Sequence, residues 1–192
     1  MQIILQKLKA MNEPVINQKI KDLMNQQIKN ELESYYIYLS MAAYFHSANL
    51  DGMAHWMRCQ AHEEMTHAMK FFDHLINRGG RVELLDLKQL QTSWNSPAEA
   101  WEAAYQHEIF ITGKIGALMK AVREENEYTA EPLLSWFINE QVQEEADSQK
   151  IAEQVKPVND SKEGLLLLDR ELGTRVFPAG SPLDPLAYQA AT

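Results

Sequence analysis

Four stretches of this 192-residue chain carry apolar residues at a helical period, and each has one glutamate in the middle of its apolar stripe. The first reads Ile20, Met24, Ile28, Glu31, Tyr35, Tyr38, Ala42, Phe45, and the second Met57, Ala61, Glu64, Ala68, Phe71, Leu75. The third reads Trp101, Tyr105, Glu108, Thr112, Ile115, Leu118, Val122, and the fourth Phe137, Gln141, Glu144, Ser148, Ile151, Val155. Apolar residues at a period near 3.6 mark helices that bury one face. The pattern therefore assigns four carboxylates to one depth of one core. Ionised acids so placed repel strongly at low effective dielectric, so they must take up protons or hold cations. Four helices must then pack side by side with their centres level.

The punctuation of the chain predicts how they connect. A first helix is expected from Pro14 or Val15 to Ser47, and a turn at Asn49 to Gly52 leads to a second that stops near Asn77 to Gly80. Residues 81–95 read as an extended connection. Ser96-Pro97-Ala98-Glu99 then combines a capping box with proline at the first helical position. The third helix should reach about Glu125 and the fourth about Val155, with Pro157 and Asn159 to Ser161 breaking the pattern before a short fifth helix, Glu163 to Leu172. Short links favour antiparallel neighbours, whereas the long one lets the middle pair run parallel. The expectation is an all-α, up-down-down-up four-helix bundle with one long crossover and a short fifth helix. Residues 14–175 form the domain, residues 1–13 an N-terminal extension, and residues 176–192, rich in proline, a mobile tail.

His67 follows Glu64 by three residues, leaving the two side chains about 60° apart and about 4.5 Å along the axis. They can converge on one ion, and an imidazole among carboxylates suits a transition metal better than magnesium or calcium. Bridging by Glu64 would set a second ion beside the first, completed by Glu108 and Glu144. The two halves of the chain each supply a helical hairpin with two of the glutamates, as a pseudo-twofold site requires. Its symmetry breaks at one point, because the counterpart of His67 is Asp147. The run His62-Glu63-Glu64-Met65-Thr66-His67 imitates a zinc-protease motif, but that motif needs histidines four apart, and here Thr66 holds the required place.

The formal charge of −9 argues against nucleic acid as the main partner, since a phosphate footprint needs clustered Lys and Arg. It suits the concentration of cations. One cysteine, Cys59, excludes an internal disulfide framework and fits a reducing compartment as a small core residue. No apolar run approaches transmembrane length, and the start of the chain is too short in apolar residues for a signal peptide, so a cytoplasmic location is expected.

Over roughly residues 15–175 the chain resembles the bacterial and archaeal non-haem ferritins, a family built on the di-iron carboxylate bundle that general accounts of helical bundles describe. The resemblance rests on NELESYYIYLS (30–40), AHEEMTHAMKFFDHL (61–75), YQHEIFIT (105–112) and LLSWFINEQVQEEAD (133–147). It implies one iron held by Glu31, Glu64 and His67, and a second by Glu64, Glu108 and Glu144 with Gln141 at the edge. Tyr38 matches the tyrosine beside the family's di-iron centre. Glu63 and Glu140 match a weaker third iron site, which Gln143 should weaken or rearrange because many members carry a glutamate there. Asp147 argues against the haem-containing bacterioferritins, so no haem is expected, and the lack of a CxxC pair argues against a rubrerythrin.

The activity implied is oxidation of Fe(II) by O2 or H2O2, followed by deposition of a ferric mineral inside a homo-oligomeric cage of twenty-four subunits. Two other readings stand beside it: a non-storing di-iron oxidase or peroxide-detoxifying protein, and a structural bundle whose acids bind nothing. They differ in whether a hollow shell forms and whether Fe(II) binds tightly.

Overall fold

Three residues with positive φ set the hinge points of the chain: Asn49 (57°), Gly79 (67°) and Asn126 (56°). Each follows a long helix, and in each case the next N–H reaches back five residues, Leu50 to Phe45, Gly80 to Leu75 and Glu127 to Val122. This left-handed cap satisfies carbonyls that the helix end leaves open. Asparagine and glycine are the residues that tolerate such a conformation.

In the computed structural model, which describes residues 16–88 and 91–177, these caps separate four long helices. They are α1 (Gln18–Ser47), α2 (Asp51–Asn77), α3 (Pro97–Glu124) and α4 (Glu131–Val155), followed by a short α5 (Lys162–Leu172). Single 3₁₀ turns, Tyr128–Ala130 and Lys156–Val158, flank α4. There is no strand among the described residues. Asn17 caps α1 by accepting from the Lys19 and Ile20 N–H groups. The expected start of that helix at Pro14 or Val15 lies outside the described residues, as do residues 1–13 and nearly all of the expected tail.

The capping box at α3 forms by halves. The Ser96 hydroxyl accepts from the Glu99 N–H, but the Glu99 carboxylate reaches past Ser96 to the N–H and side-chain amide of Asn95. Asn95 offers two donors to one carboxylate, which the Ser96 N–H alone cannot match.

The crossover after α2 runs back along α1. The Asn25 side chain clamps Arg81 and Glu83, the Glu33 carboxylate accepts from the Lys88 N–H, and the Ser40 hydroxyl donates to Gln91. From residue 25 to residue 40 the contacts climb α1 as the crossover advances. The chain is thereby returned to the end of the bundle where α2 began, so α3 runs parallel to α2.

Two apolar clusters confirm these directions. One joins the C-terminal half of α1 (Tyr38, Met41, Phe45) to the start of α2 (Met53, Met57), the start of α3 (Trp101) and the end of α4 (Ile151, Val155). The other joins the opposite halves, through Ile20, Met24, Phe71, Leu75, Ile115, Leu118, Leu134 and Phe137. The bundle is thus up-down-down-up, as the connection lengths predicted. Ser34 and Ala104 occupy core positions that the stripes gave to Tyr35 and Tyr105, which stay half-buried at the cluster edge. Small residues leave room for the polar side chains between the clusters.

Helix α5 packs on the start of α2, where Asp169 accepts a 2.8 Å hydrogen bond from the Met53 N–H. Leu168 and Leu172 join the first apolar cluster. Gly52 lies directly against the Asp169 carbonyl, and a Cβ there would run into it. The close approach of α5 therefore depends on that glycine.

Candidate metal centre

Between the two apolar clusters lies a layer of buried polar side chains from all four long helices. Glu31 comes from α1, Glu64 and His67 from α2, Glu108 from α3, and Gln141 and Glu144 from α4. Every one is at most 9% exposed. Such burial without compensation is rare for ionisable groups.

Three sets of ligand-type atoms gather within 4.8 Å of one another: Glu31, Glu64 and His67; Glu64, Glu108 and Glu144; and His67, Glu140 and Glu144. The first two sets share Glu64. His67 Nδ1 lies 3.6 Å from one Glu64 oxygen and 4.0 Å from Glu144.

Amides hold one oxygen of three of these acids. Gln27 donates to Glu31 at 2.8 Å, while Gln60 donates at 2.9 Å to both Glu64 and Glu144. Gln27 and Gln60 each precede their glutamate by four residues, so the same helical face delivers donor and acid. Glu140 stands at that place before Glu144. Tyr38 donates a hydrogen bond to Glu108, and the Gln141 amide adds a 3.3 Å bond. The opposite oxygens of Glu31 and Glu144, and the Gln141 carbonyl, are buried with no hydrogen-bond partner among the described residues. Orphaned buried acceptors of this kind cost free energy unless a cation or proton meets them.

The protein meets that cost by protonation when no cation is present. Burial, reinforced by the charge of Glu64, lifts the Glu31 and Glu108 carboxyls to about 8. Burial and the charges of Glu64, Glu108 and Glu31 push Glu144 well above its ordinary value. Burial would raise Glu64 as well, but contact with His67 and its charge, with the Gln60 amide, outweigh it and hold Glu64 below normal. The matching effect on His67 overcomes its own desolvation and carries the imidazole to about 9. Burial and the neighbouring acids push the Tyr38 phenol well above its usual value. At neutral pH the layer holds one ion pair, Glu64 with His67, among neutral carboxylic acids. A divalent cation displacing those protons would find carboxylate oxygens and one imidazole nitrogen, a donor set for transition metals.

Glu63 and Glu140, the two acids of the expected third site, have different partners. Glu140 belongs to the set with His67 and Glu144, while Glu63 is bound at 2.6 Å by the guanidinium of Arg175. Both line a cavity of about 140 Å³ together with Gln143, Glu144, Asp147 and Arg175. Asp147, the counterpart of His67, is exposed there rather than inside the layer. His62 belongs to none of the three sets, in keeping with rejection of the protease motif. Trp136 is 36% exposed and sets its ring edge against His67 at 5.6 Å. The sequence reading missed Gln27, Gln60, Ser34 and Arg175; the first two were visible as amides on the apolar stripes. Ser34 lies 2.8 Å from His107, a histidine for which no partner was foreseen.

A four-helix bundle with a carboxylate–histidine layer at its waist defines the ferritin-like class. A family model described as a ferritin-like domain matches residues 21–158. A bacterial non-heme ferritin of Bacteroides fragilis is 35% identical over 161 residues, covering 84% of this chain and all of that protein. One from Escherichia coli O157:H7 is 32% identical over 151 residues, covering 79% of this chain and 92% of the other. Among solved structures, an open pore ferritin from Archaeoglobus fulgidus matches with a TM-score of 0.82 and 41% identity, covering 84% of this chain and 99% of its own. An engineered closed form of the ferritin from the same archaeon gives a TM-score of 0.83 and 40% identity, with 85% and 99% covered. The chain belongs to the ferritin family.

Proposed function

We propose that this chain is a ferroxidase and an iron-storage subunit: it oxidises Fe(II) at the waist of the bundle and deposits ferric mineral inside a cage of twenty-four copies. The observation that carries the reading is the pair of buried ligand sets sharing Glu64, with unpartnered oxygens on Glu31 and Glu144. Glu31, Glu64 and His67 would hold one Fe(II), and Glu64, Glu108, Glu144 and Gln141 the other. Iron here is substrate, and it leaves oxidised.

Two adjacent Fe(II) ions supply the two electrons that reduce O2 to H2O2 or H2O2 to water. Carboxylates favour this oxidation because they stabilise the higher charge of Fe(III) more than that of Fe(II). Entry of iron requires the protons on Glu31, Glu108, Glu144 and His67 to depart. Tyr38, hydrogen-bonded to Glu108, orients that carboxylate and is placed to pass a proton or an electron.

The acidic composition, with a net charge of −9, favours cation uptake. The cavity beside Glu63 and Glu140 is the reading's weaker third position. No described helix is long and apolar enough to cross a membrane. We place the protein in the cytoplasm, with residues 14–175 as the working domain and no haem requirement.

Anaerobic Fe(II) titration followed by exposure to oxidant tests the reading. The expected result is tight binding near two irons per subunit, prompt oxidation, and loss of both in Glu64→Ala. Unaltered binding in that variant would sink the assignment. Negative-stain imaging tests storage separately, since a small oligomer with no hollow shell would leave an oxidase without a mineral store.

A further inference from the structure

Arg175 lies just beyond α5, at the edge of the domain, yet its side chain is threaded back to the metal centre. Its guanidinium donates to the Glu63 carboxylate at 2.6 Å and to the Gln60 side-chain oxygen at 3.0 Å. The same group lies 4.1 Å from the ring centroid of Trp56 and donates to the Trp56 carbonyl at 3.4 Å. The backbone is fixed as well, since the His55 ring donates to the Arg175 carbonyl at 2.6 Å and Phe177 sets its ring against His55 at 4.7 Å. An arginine held by so many partners has spent its freedom on one position.

That position is defined by the cavities around it. The cavity of about 140 Å³ reaches Glu108 and Glu144 of the metal centre. A second, of about 310 Å³, is lined by Lys150, Gln154, Glu171 and Thr174 near α5. Trp56, Asp147 and Arg175 line both, so Arg175 belongs to the wall that the two cavities share. The inner cavity holds Glu63, Glu140, Glu144 and the exposed Asp147, and among the described residues the only cationic side chain on its wall is Arg175.

We propose that Arg175 is a built-in cation that occupies the place of a metal ion beside Glu63, so that iron must displace its guanidinium to hold that position. The inference rests on the proposed iron chemistry and adds to it a specific competitor. A guanidinium bound to one Glu63 oxygen neutralises that acid and repels a second cation brought to the other oxygen, so the two compete for the same charge. Gln60 links the two processes, because its amide donates to Glu64 and Glu144 while its oxygen accepts from Arg175. A departing guanidinium therefore frees the residue that orients two acids of the metal centre.

The test counts Zn(II) ions bound per subunit by calorimetry in the assembled, iron-free protein. Arg175→Gln and Arg175→Met remove the charge; the second keeps an unbranched stem over Trp56, so one of the two serves if the other fails to fold. Either variant is expected to gain one equivalent over the wild type, or to bind its last equivalent at least about tenfold more tightly, about 1.4 kcal/mol. Arg175→Lys, which keeps the charge, is expected to give the wild-type count, and Glu63→Gln added to Arg175→Gln is expected to remove the gain. Equal counts and affinities in wild type and both neutral variants would overturn the proposal. So would a gain that survives Glu63→Gln. The absolute count in the wild type speaks instead to the proposed metal centre, and the difference between proteins speaks to Arg175.

Discussion

Replacing Glu31 by glutamine in the metal-free protein isolates the electrostatic cost of the empty site. Glutamine copies the shape of the protonated acid but cannot ionise, so it removes one pH-dependent contribution and little packing. In the wild type the Glu31 carboxyl moves from an ordinary value of 4.5 to about 8, chiefly through burial and then through the charge of Glu64. A folded-state value above the unfolded one means that folding takes up a proton. The stability contributed by that proton is complete below pH 4.5 and is lost as pH climbs through about 8. At about 1.4 kcal/mol per decade, the wild type should lose on the order of 4 kcal/mol at this residue between pH 5 and pH 8. Glu31→Gln should lose none of it there. The assay is unfolding in denaturant with chelator present, at both pH values, for wild type and variant. The variant should match the wild type at pH 5 and exceed it clearly at pH 8. Parallel pH dependences would show that Glu31 ionises freely, and the account of a proton-filled layer would be wrong. Zinc should reverse the order, since the wild type gains a ligand where the variant has an amide.

Metal entry should release protons: near neutral pH, Zn(II) binding in a weakly buffered indicator solution should free at least about two per subunit, because Glu31 and Glu108 sit at about 8 and His67 at about 9. Release near zero would mean that the site is already ionised when empty. Tyr38→Phe removes the donor to Glu108 while leaving the ligand sets intact; Fe(II) stoichiometry should hold while single-turnover oxidation slows by about tenfold or more, and an unchanged rate would make Tyr38 a packing residue. Gly52→Ala drives a Cβ into the Asp169 carbonyl and should cost roughly 3 kcal/mol or detach α5, read by thermal unfolding and by protease access to the α5 region. A wild-type melting curve would show that α5 shifts at no cost.

How much of this was legible follows from the reach of each signal. The four centre-stripe glutamates were readable because a helix repeats its face every few residues, and the direction of the bundle because one connection is long and two are short. Asn49, Gly79 and Asn126 announced the turns for the same local reason. The polar support of Gln27 and Gln60 was equally local, one turn before Glu31 and Glu64, and went unread only because amides on an apolar stripe attract less notice than acids. Arg175 is different in kind. It meets Glu63 across 112 residues of sequence, and nothing near Arg175 in the chain names that partner. The split of Glu99 toward Asn95 was also beyond the motif, since two geometries fit the same four letters.

The asymmetry of the layer gives its two halves different surroundings. Glu31, Glu64 and His67 lie between the apolar clusters, and the one imidazole of the layer is closest to Glu64, 3.6 Å away against 4.0 Å to Glu144. Glu144, in the other half, forms part of the wall of the cavity that Glu63, Asp147 and Arg175 share. Where the pseudo-twofold pattern would place a second histidine, the chain has Asp147, exposed and outside the layer. A histidine at that position would add a neutral donor to the Glu144 side and bind an ion there more firmly. An acid on the cavity wall instead attracts cations without closing around them. The substitution that breaks the symmetry therefore weakens retention on the side that opens outward, and leaves the enclosed side as the anchor. Under the proposed reaction, in which iron leaves as Fe(III), the difference between His67 and Asp147 gives the site one firmer and one more yielding position.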